Sequence, residues 1–367
     1  MRPYLETRWG NPVAPHQMGQ ELLPDIERAY RQIYRLLGTD ENGTIIFTSS
    51  GAEAVNHVVW STYIDLSRET GLTHFITSSL DEAPVILAYE RLETLGCRST
   101  LVSVTEQGQV TPSALGDAFT PRTALVSLSW GNALLGTVHP VADLAGVCRE
   151  RGILFHLDAT HVVGKLDFDL NEIGADLISF NGEALGAPRS AGALWMRSGL
   201  KISPLLAGGH DQGGLRAGAL DVAGLVALGT ACEVRLEAKE ALCMEGARLR
   251  DRLEEGVMAK VKGASSPFAS CDRLPTTACL ILPGVNCDAL LYRLTQCDLF
   301  ASFGGGQYQQ LAVQLEACGI SRPLADCAVS FTLSHETTEE EIDEAIERIG
   351  KEAAALQSIT VEDPAWR

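Results

Sequence analysis

Long apolar runs are missing from this chain. No stretch approaches the roughly 18 apolar residues that a membrane-spanning helix needs, so no membrane span is expected. The first ten residues, MRPYLETRWG, lack the basic-then-apolar layout of a secretory signal, so the expected location is cytoplasmic. Basic residues are a minority, 29 against 47 acidic ones, for a formal net charge of −18. That balance argues against nucleic acid or an anionic membrane as partner, since both reward basic patches. Lysine is scarce, occurring only at Lys165, Lys201, Lys239, Lys260, Lys262 and Lys351. The ten cysteines form no CxxC pair and have no histidine cluster beside them. They read as reduced, mostly buried thiols, and no metal site is expected. Internal repeats and low-complexity tracts are also absent.

What is present is ample core material: 46% of the 367 residues are hydrophobic, enough for two domains on one chain. Residues 18–38 carry apolar positions at helical spacing and end at Gly38, which predicts a helix. From Gly43 onward, short β-branched runs alternate with amphipathic segments. They are TIIFTS, a helix, HFITSS, a helix over 83–95, STLVSV, a helix near 112–119, TALVSLSW, a helix near 141–151, ILFHLDA, DLISF and AGALWM. This alternation predicts an α/β class with a mainly parallel sheet covered on both faces. Near Gly229 the texture changes to a long charged helical stretch, then shorter strands, TACLILP and CAVSFTL, and an amphipathic helix with an acidic first turn. The expected division is a large α/β domain over 1–228 and a small α+β domain over 229–367, with TVEDPAWR as a loose tail.

Three stretches carry candidate chemistry. The turn FTSSGAEA (47–54) joins a strand to a helix N-terminus through Ser50, Gly51 and Ala52, a natural cradle for an anion. Tight strand-to-helix packing selects the same small residues. In FHLDATHVVGK (155–165), Asp158 ends a buried-looking strand, where open α/β sheets bind ligands. It and His161 suit a ligand with a protonated ring nitrogen, and they equally suit a capping carboxylate and a satisfied histidine. The third, LISFNGEALGAPRSAGALWM (177–196), is a strand, a Gly-rich loop holding Asn181, Gly182, Glu183 and Ala184, and another strand.

Taken in order, YLETRWGNPVAP, IIFTSSGAEAVN, FHLDATHVVGKLDFDL, LISFNGEALGAPRSAGALWM, GGHDQGGLRAGALDVAGLVALG and FTLSHETTEEEID resemble the cysteine desulfurases. These belong to the class V aminotransferase group of pyridoxal-phosphate (PLP) enzymes. The resemblance runs from about Tyr4 to the last helix. It implies fold type I: a seven-stranded, mainly parallel sheet in the large domain, a small C-terminal domain, and a dimer with sites at the subunit interface.

At the functional positions the sequence departs from that family. Counting back from the shared GALW, the position of the Schiff-base lysine is Ala184, preceded by Glu183. The attacking cysteine's position, in ASFGGGQYQQ, is Gln307. The histidine that stacks on the PLP ring corresponds to Glu82, and the asparagine at the ring hydroxyl to Ala133, beside a matching Asn132. The phosphate-contacting threonines correspond to Ala52 and Ala219, and the arginine that grips the substrate carboxylate to His335. Retained are Gly51, Asp158, His161, Asn181 in place of a usual serine, and Arg216.

The resemblance with these departures implies a desulfurase-like protein without catalysis, a partner, scaffold or regulator in sulfur or iron–sulfur metabolism. It also implies no covalently bound cofactor, with PLP at most a weak non-covalent ligand of Ser50, Gly51, Ala52, Glu82, Asp158, His161 and Asn181. A second class stays open: an enzyme of altered chemistry in the same pocket, with His161 or His335 acting in place of lysine. The expected assembly is a homodimer, or a heterodimer with an active desulfurase paralogue.

Overall fold

The computed structural model describes residues 1–39, 42–306 and 308–359. Its centre is one sheet of seven strands: β1 (Thr44–Thr48), β2 (His74–Ser78), β3 (Arg98–Val102), β4 (Thr123–Ser129), β5 (Leu154–Asp158), β6 (Leu177–Asn181) and β7 (Gly192–Met196). Their order across the sheet is β1-β7-β6-β5-β4-β2-β3, and only β7 runs against its neighbours. The mainly parallel, seven-stranded α/β architecture expected from the sequence is therefore present. Every residue of β2 and β7 is buried, as strands covered on both faces require. One face packs Ile33, Leu37, Phe155 and Phe180 into a core; the other packs Ile46, Val58, Phe75 and Tyr89.

The helix expected over 18–38 is divided into Gln17–Gln20 and Leu23–Leu37. Pro24 in the first turn of the second piece explains the break, because it suits a helix start and cannot donate within one. Gly38, with φ of 65°, closes that helix in the left-handed region. It lies along a 39-residue helix, Val222–Lys260, which starts before the charged stretch that marks it in the sequence. Asp221 caps its start by accepting from the Gly224 N–H at 2.9 Å. Gly229 lets the two helices approach closely, since a Cβ there would lie 2.7 Å from the Ala29 Cα.

The same long helix continues into the second set of elements. There an antiparallel pair, Thr277–Ile281 with Ala328–Thr332, packs with the helices Cys287–Thr295 and Glu339–Gln357. Thr338 and Glu341 form a reciprocal capping box at the last helix. A further cluster joins Leu80 and Leu135 of the sheet region to Phe268, Cys279 and Ile281, so the two sets of elements share packed side chains. Among the described residues no helix is long and apolar enough to cross a membrane. The tail expected over 360–367 lies outside the described residues.

Candidate functional site

Parallel strands that end together present their last residues and following turns on one edge of the sheet. β5 ends at Asp158 and β6 at Asn181, and β1 runs into the turn that opens the Gly51–Thr62 helix. Gly192 allows this convergence, because a Cβ there would sit 2.5 Å from the Ser50 carbonyl carbon.

The turn after β1 forms a capped helix start. The Ser50 hydroxyl accepts from the Glu53 N–H at 3.1 Å, while the Glu53 carboxylate accepts from the Ser49 N–H at 2.8 Å. The first N–H groups of a helix have no intrahelical acceptor, so Gly51 and Ala52 are placed to meet an anion. Gly51 lies against Asn181 and Thr160: a Cβ on it would be 3.3 Å from Asn181 Cβ and 3.4 Å from Thr160 Oγ1. Arg216 closes the side of the cradle, its Nε donating to Glu53 Oε1 at 3.0 Å. Burial pushes the Glu53 carboxyl up, but Arg216 and the Ser49 groups bring it below its ordinary value.

Asp158, Glu82 and His161 come together across 79 residues of sequence. His161 Nε2 lies 2.9 Å from Glu82 Oε1, and each side chain is 23% exposed. Asp158 Oδ1 accepts from the Thr160 N–H at 3.0 Å. The contacts of a turn-capping carboxylate and a satisfied histidine are thus both present. The residue keeps some open surface, yet its carboxyl sits deep among protein atoms. Burial pushes it up to about 6, the Glu82 charge adds to the rise, and Thr160 and His161 oppose it. A cavity of about 10 Å³ lies between Asp81, Glu82, Ser129 and Asp158, room for no more than one water.

A carboxyl whose folded value is raised binds its proton more tightly in the folded state. Its contribution to stability is therefore lost as the pH climbs from about 4 through about 6. The full difference amounts to about 3 kcal/mol. Asp158→Asn is expected to raise stability by about 1–3 kcal/mol at pH 7.5, with the gain vanishing near pH 4. Thermal unfolding at the two pH values checks this, and a lower Tm for the variant at pH 7.5 refutes it.

Ala184 is half-buried in the turn Gly182–Leu185, which Asn181 caps by accepting from the Glu183 N–H. Glu183 itself points outward and pairs with Arg189 at 3.1 Å. Ala52 and Ala219 are exposed. Asn132 uses its side-chain oxygen to accept from the N–H groups of Leu134 and Leu135, both at 2.9 Å, which positions Ala133 in a tight turn. His335 is exposed beyond the last strand, with Nδ1 3.4 Å from Arg235 Nη1, and does not join the Asp158 group. Gln307 lies outside the described residues. The short hairpin flanking it, Gly304–Gly306 with Gln309–Gln310, is tied to the Ala83–Glu93 helix by the Tyr308 hydroxyl, which donates to Glu90 at 2.9 Å.

Sequence reasoning missed Asp81, Thr160 and Glu53. Asp81 accepts from Thr77 Oγ1 and the Ser78 N–H, both at 2.7 Å, and so shapes the loop that presents Glu82. The SSLDEAP turn was the available signal for it. Thr160 donates its N–H to Asp158 and accepts from the Asn181 N–H at 3.2 Å, joining the two strand ends. Among the described residues there is no group of three or more potential metal ligands.

The chain matches the family model "Aminotransferase class-V" over residues 1–344. It is 33% identical over 371 residues to a cysteine desulfurase of Nostoc sp., covering 99% of this chain and 92% of that protein. With a cysteine desulfurase of Gluconacetobacter diazotrophicus the identity is 32% over 374 residues, covering 100% of this chain and 91% of the relative. Among solved structures, a NifS-like protein superimposes with a TM-score of 0.89 at 27% identity, over 96% of this chain and 94% of the other.

These matches correct one expectation. The matched family, by the resemblance above, consists of PLP enzymes that bind the cofactor covalently, and no comparison shows its loss from this chain. The expectation of no covalent cofactor, with PLP only a weak non-covalent ligand, is overturned. The side chains fit such a group in part. Asp158 at a strand end and the Gly51 turn beside Asn181 suit a ring nitrogen and a phosphate, while Ala184 brings no amine to its loop.

Proposed function

Since the chain belongs to the class-V aminotransferase family and is cysteine desulfurase-like, we propose that it serves sulfur metabolism without turning over cysteine, as a partner, scaffold or regulator. The observation that carries this reading is the state of its thiols. A cysteine that attacks sulfur must be available as thiolate, which a lowered pKa and access provide. Here burial pushes nine of the ten thiols up. The tenth, Cys297, sits half-buried in the turn after the Cys287–Thr295 helix, its carbonyl held by Arg348. Gln307, at the position of the family's attacking cysteine, has no nucleophilic group to offer.

A cytoplasmic homodimer, or a heterodimer with an active desulfurase paralogue, is the assembly this reading requires. It is supported by apolar side chains left open near the N-terminus, among them Leu5 (65% exposed), Trp9 (66%) and Val13 (72%). A second reading, altered chemistry on another ligand, draws on the group of Asp158, Glu82 and His161, where burial raises the Asp158 carboxyl to about 6, near the working range of a general acid or base.

Sulfide and alanine release from L-cysteine tests the reading, with the protein alone and mixed with an active desulfurase. The expected result is blank-level release alone and an altered rate for the active enzyme in the mixture. Turnover that survives repurification overturns it.

A further inference from the structure

Three neighbouring strands begin together at the sheet edge opposite Asp158: β3 at Arg98, β2 at His74 and β4 at Thr123, with His74 in register with both others. Backbone bonds fix these starts, because the Arg98 N–H donates to the Thr73 carbonyl and the His74 N–H to the Arg122 carbonyl, both at 2.9 Å. The buried His74 ring is satisfied by hydroxyls, with Nδ1 2.8 Å from Thr123 Oγ1 and Nε2 2.8 Å from Thr100 Oγ1. Beside it opens a cleft of about 430 Å³, lined by Thr73, Gly96, Arg98, Thr120 and Arg122 as well as His74. That volume is in the range of small-molecule sites.

The charge lining this cleft comes from its two arginines. Burial lowers the His74 pKa and the Arg98 charge lowers it further, so the ring is neutral at pH 7. Among the described residues neither Arg98 nor Arg122 has a carboxylate within 4.0 Å. Glu93, in the helix that leads to β3, is turned to Ser99, accepting from its N–H at 3.2 Å and from its hydroxyl at 2.5 Å. Only β2 separates the strands that Arg98 and Arg122 lead into, so their backbones lie about 10 Å apart, a gap that two arginine side chains can close. In a chain of net charge −18, two guanidinium groups on one cleft without a counter-charge are conspicuous.

We propose that Arg98 and Arg122 bind a phosphate group in this cleft, as the free ion or carried on a small organic molecule. A phosphate dianion matches two guanidinium groups in charge and offers its oxygens to both donor forks, whereas a carboxylate is satisfied by one. The free ion fills only part of the cleft, which leaves room for an organic part beside Thr73, Gly96 and Thr120. The site lies at the opposite strand ends from Asp158 and Asn181. It requires neither turnover nor a cofactor, so it stands or falls separately from the non-catalytic reading.

Calorimetric titration of the whole protein with sodium phosphate, glycerol 3-phosphate and sodium acetate tests the site at pH 7.5. Ionic strength is held constant with sodium chloride. Saturable binding of at least one phosphate is expected, about tenfold or more tighter than any binding of acetate. Arg98→Gln and Arg122→Gln should each weaken it about tenfold or more, the loss of a charge-assisted contact. Both arginines are exposed, so the variants should keep the parent's Tm in the absence of phosphate. Tighter binding of glycerol 3-phosphate assigns a phosphate ester, and equal or tighter binding of inorganic phosphate assigns the free ion. The Gly51 turn is a second place for a phosphate, and Arg98→Gln/Arg122→Gln separates the two, because binding at that turn survives in it. Phosphate binding undiminished in the double variant, no saturable binding of either phosphate, or acetate bound as tightly overturns the proposal.

Discussion

Ala184→Lys is expected to release no more sulfide from L-cysteine than a blank. A lysine fits the position, because Ala184 is half-buried in a short turn and its loop has an open side. The chemistry that would use it remains incomplete. Groups that act as a unit are strongly non-additive, so restoring one of several restores little. Gln307 still offers no attacking sulfur, and Glu82, where the family resemblance implies a stacking ring, still holds His161 at 2.9 Å. By the family resemblance, His335 stands where a guanidinium is expected, and an imidazole cannot copy its bidentate grip. Ala184→Lys/Gln307→Cys supplies both a lysine and a thiol. It is expected to stay about 100-fold or more below an active desulfurase assayed in parallel, the scale lost with one catalytic or anchoring group. A single Ala184→Lys variant within tenfold of that enzyme would show that the departures at 82, 307 and 335 do not matter.

The sheet was legible because alternation of β-branched runs and amphipathic helices leaves few arrangements once both faces must be covered. Its number of strands came with the family resemblance, and the reversed direction of β7 has no signature within GALWM. The early start of the Val222–Lys260 helix was hidden because LDVAGLVALG is rich in glycine and apolar residues, while the charged stretch further on drew the eye. Asp221 was the available signal, as a capping residue before that run. In the site, Asp158 was readable from its place at a strand end, and Gly51 from its turn. The Glu82–His161 contact was not readable, because tertiary pairing across 79 residues leaves no local pattern. The same holds for Arg235, which looks like any charged helix residue until the fold sets it against Leu185 and His335.

Glu254→Ala is expected to cost about 3–5 kcal/mol, the scale for stranding a buried charge. Arg273 Nη1 sits 2.8 and 2.9 Å from the two Glu254 oxygens, and the side chains are only 7% and 3% exposed. Asp251 reaches the other guanidinium nitrogen at 3.1 Å but is itself half open to water, so it screens Arg273 incompletely. The pair sits where the two sets of elements meet. Arg273 bridges to Thr137, the Val138 N–H donates to the Asp272 carbonyl at 3.1 Å, and the Leu274 N–H donates to Gly136 at 2.7 Å. Through these bonds the pair anchors the 132–138 turn, which holds Asn132 and Ala133. Denaturant unfolding of Glu254→Ala should therefore show a large loss. Glu254→Leu/Arg273→Met, which removes both charges and fills the space, should lose far less because nothing is left uncompensated. A Glu254→Ala variant within about 1 kcal/mol of the parent would mean that Asp251 alone satisfies Arg273, and that the junction rests on its apolar packing around Leu80, Leu135 and Phe268.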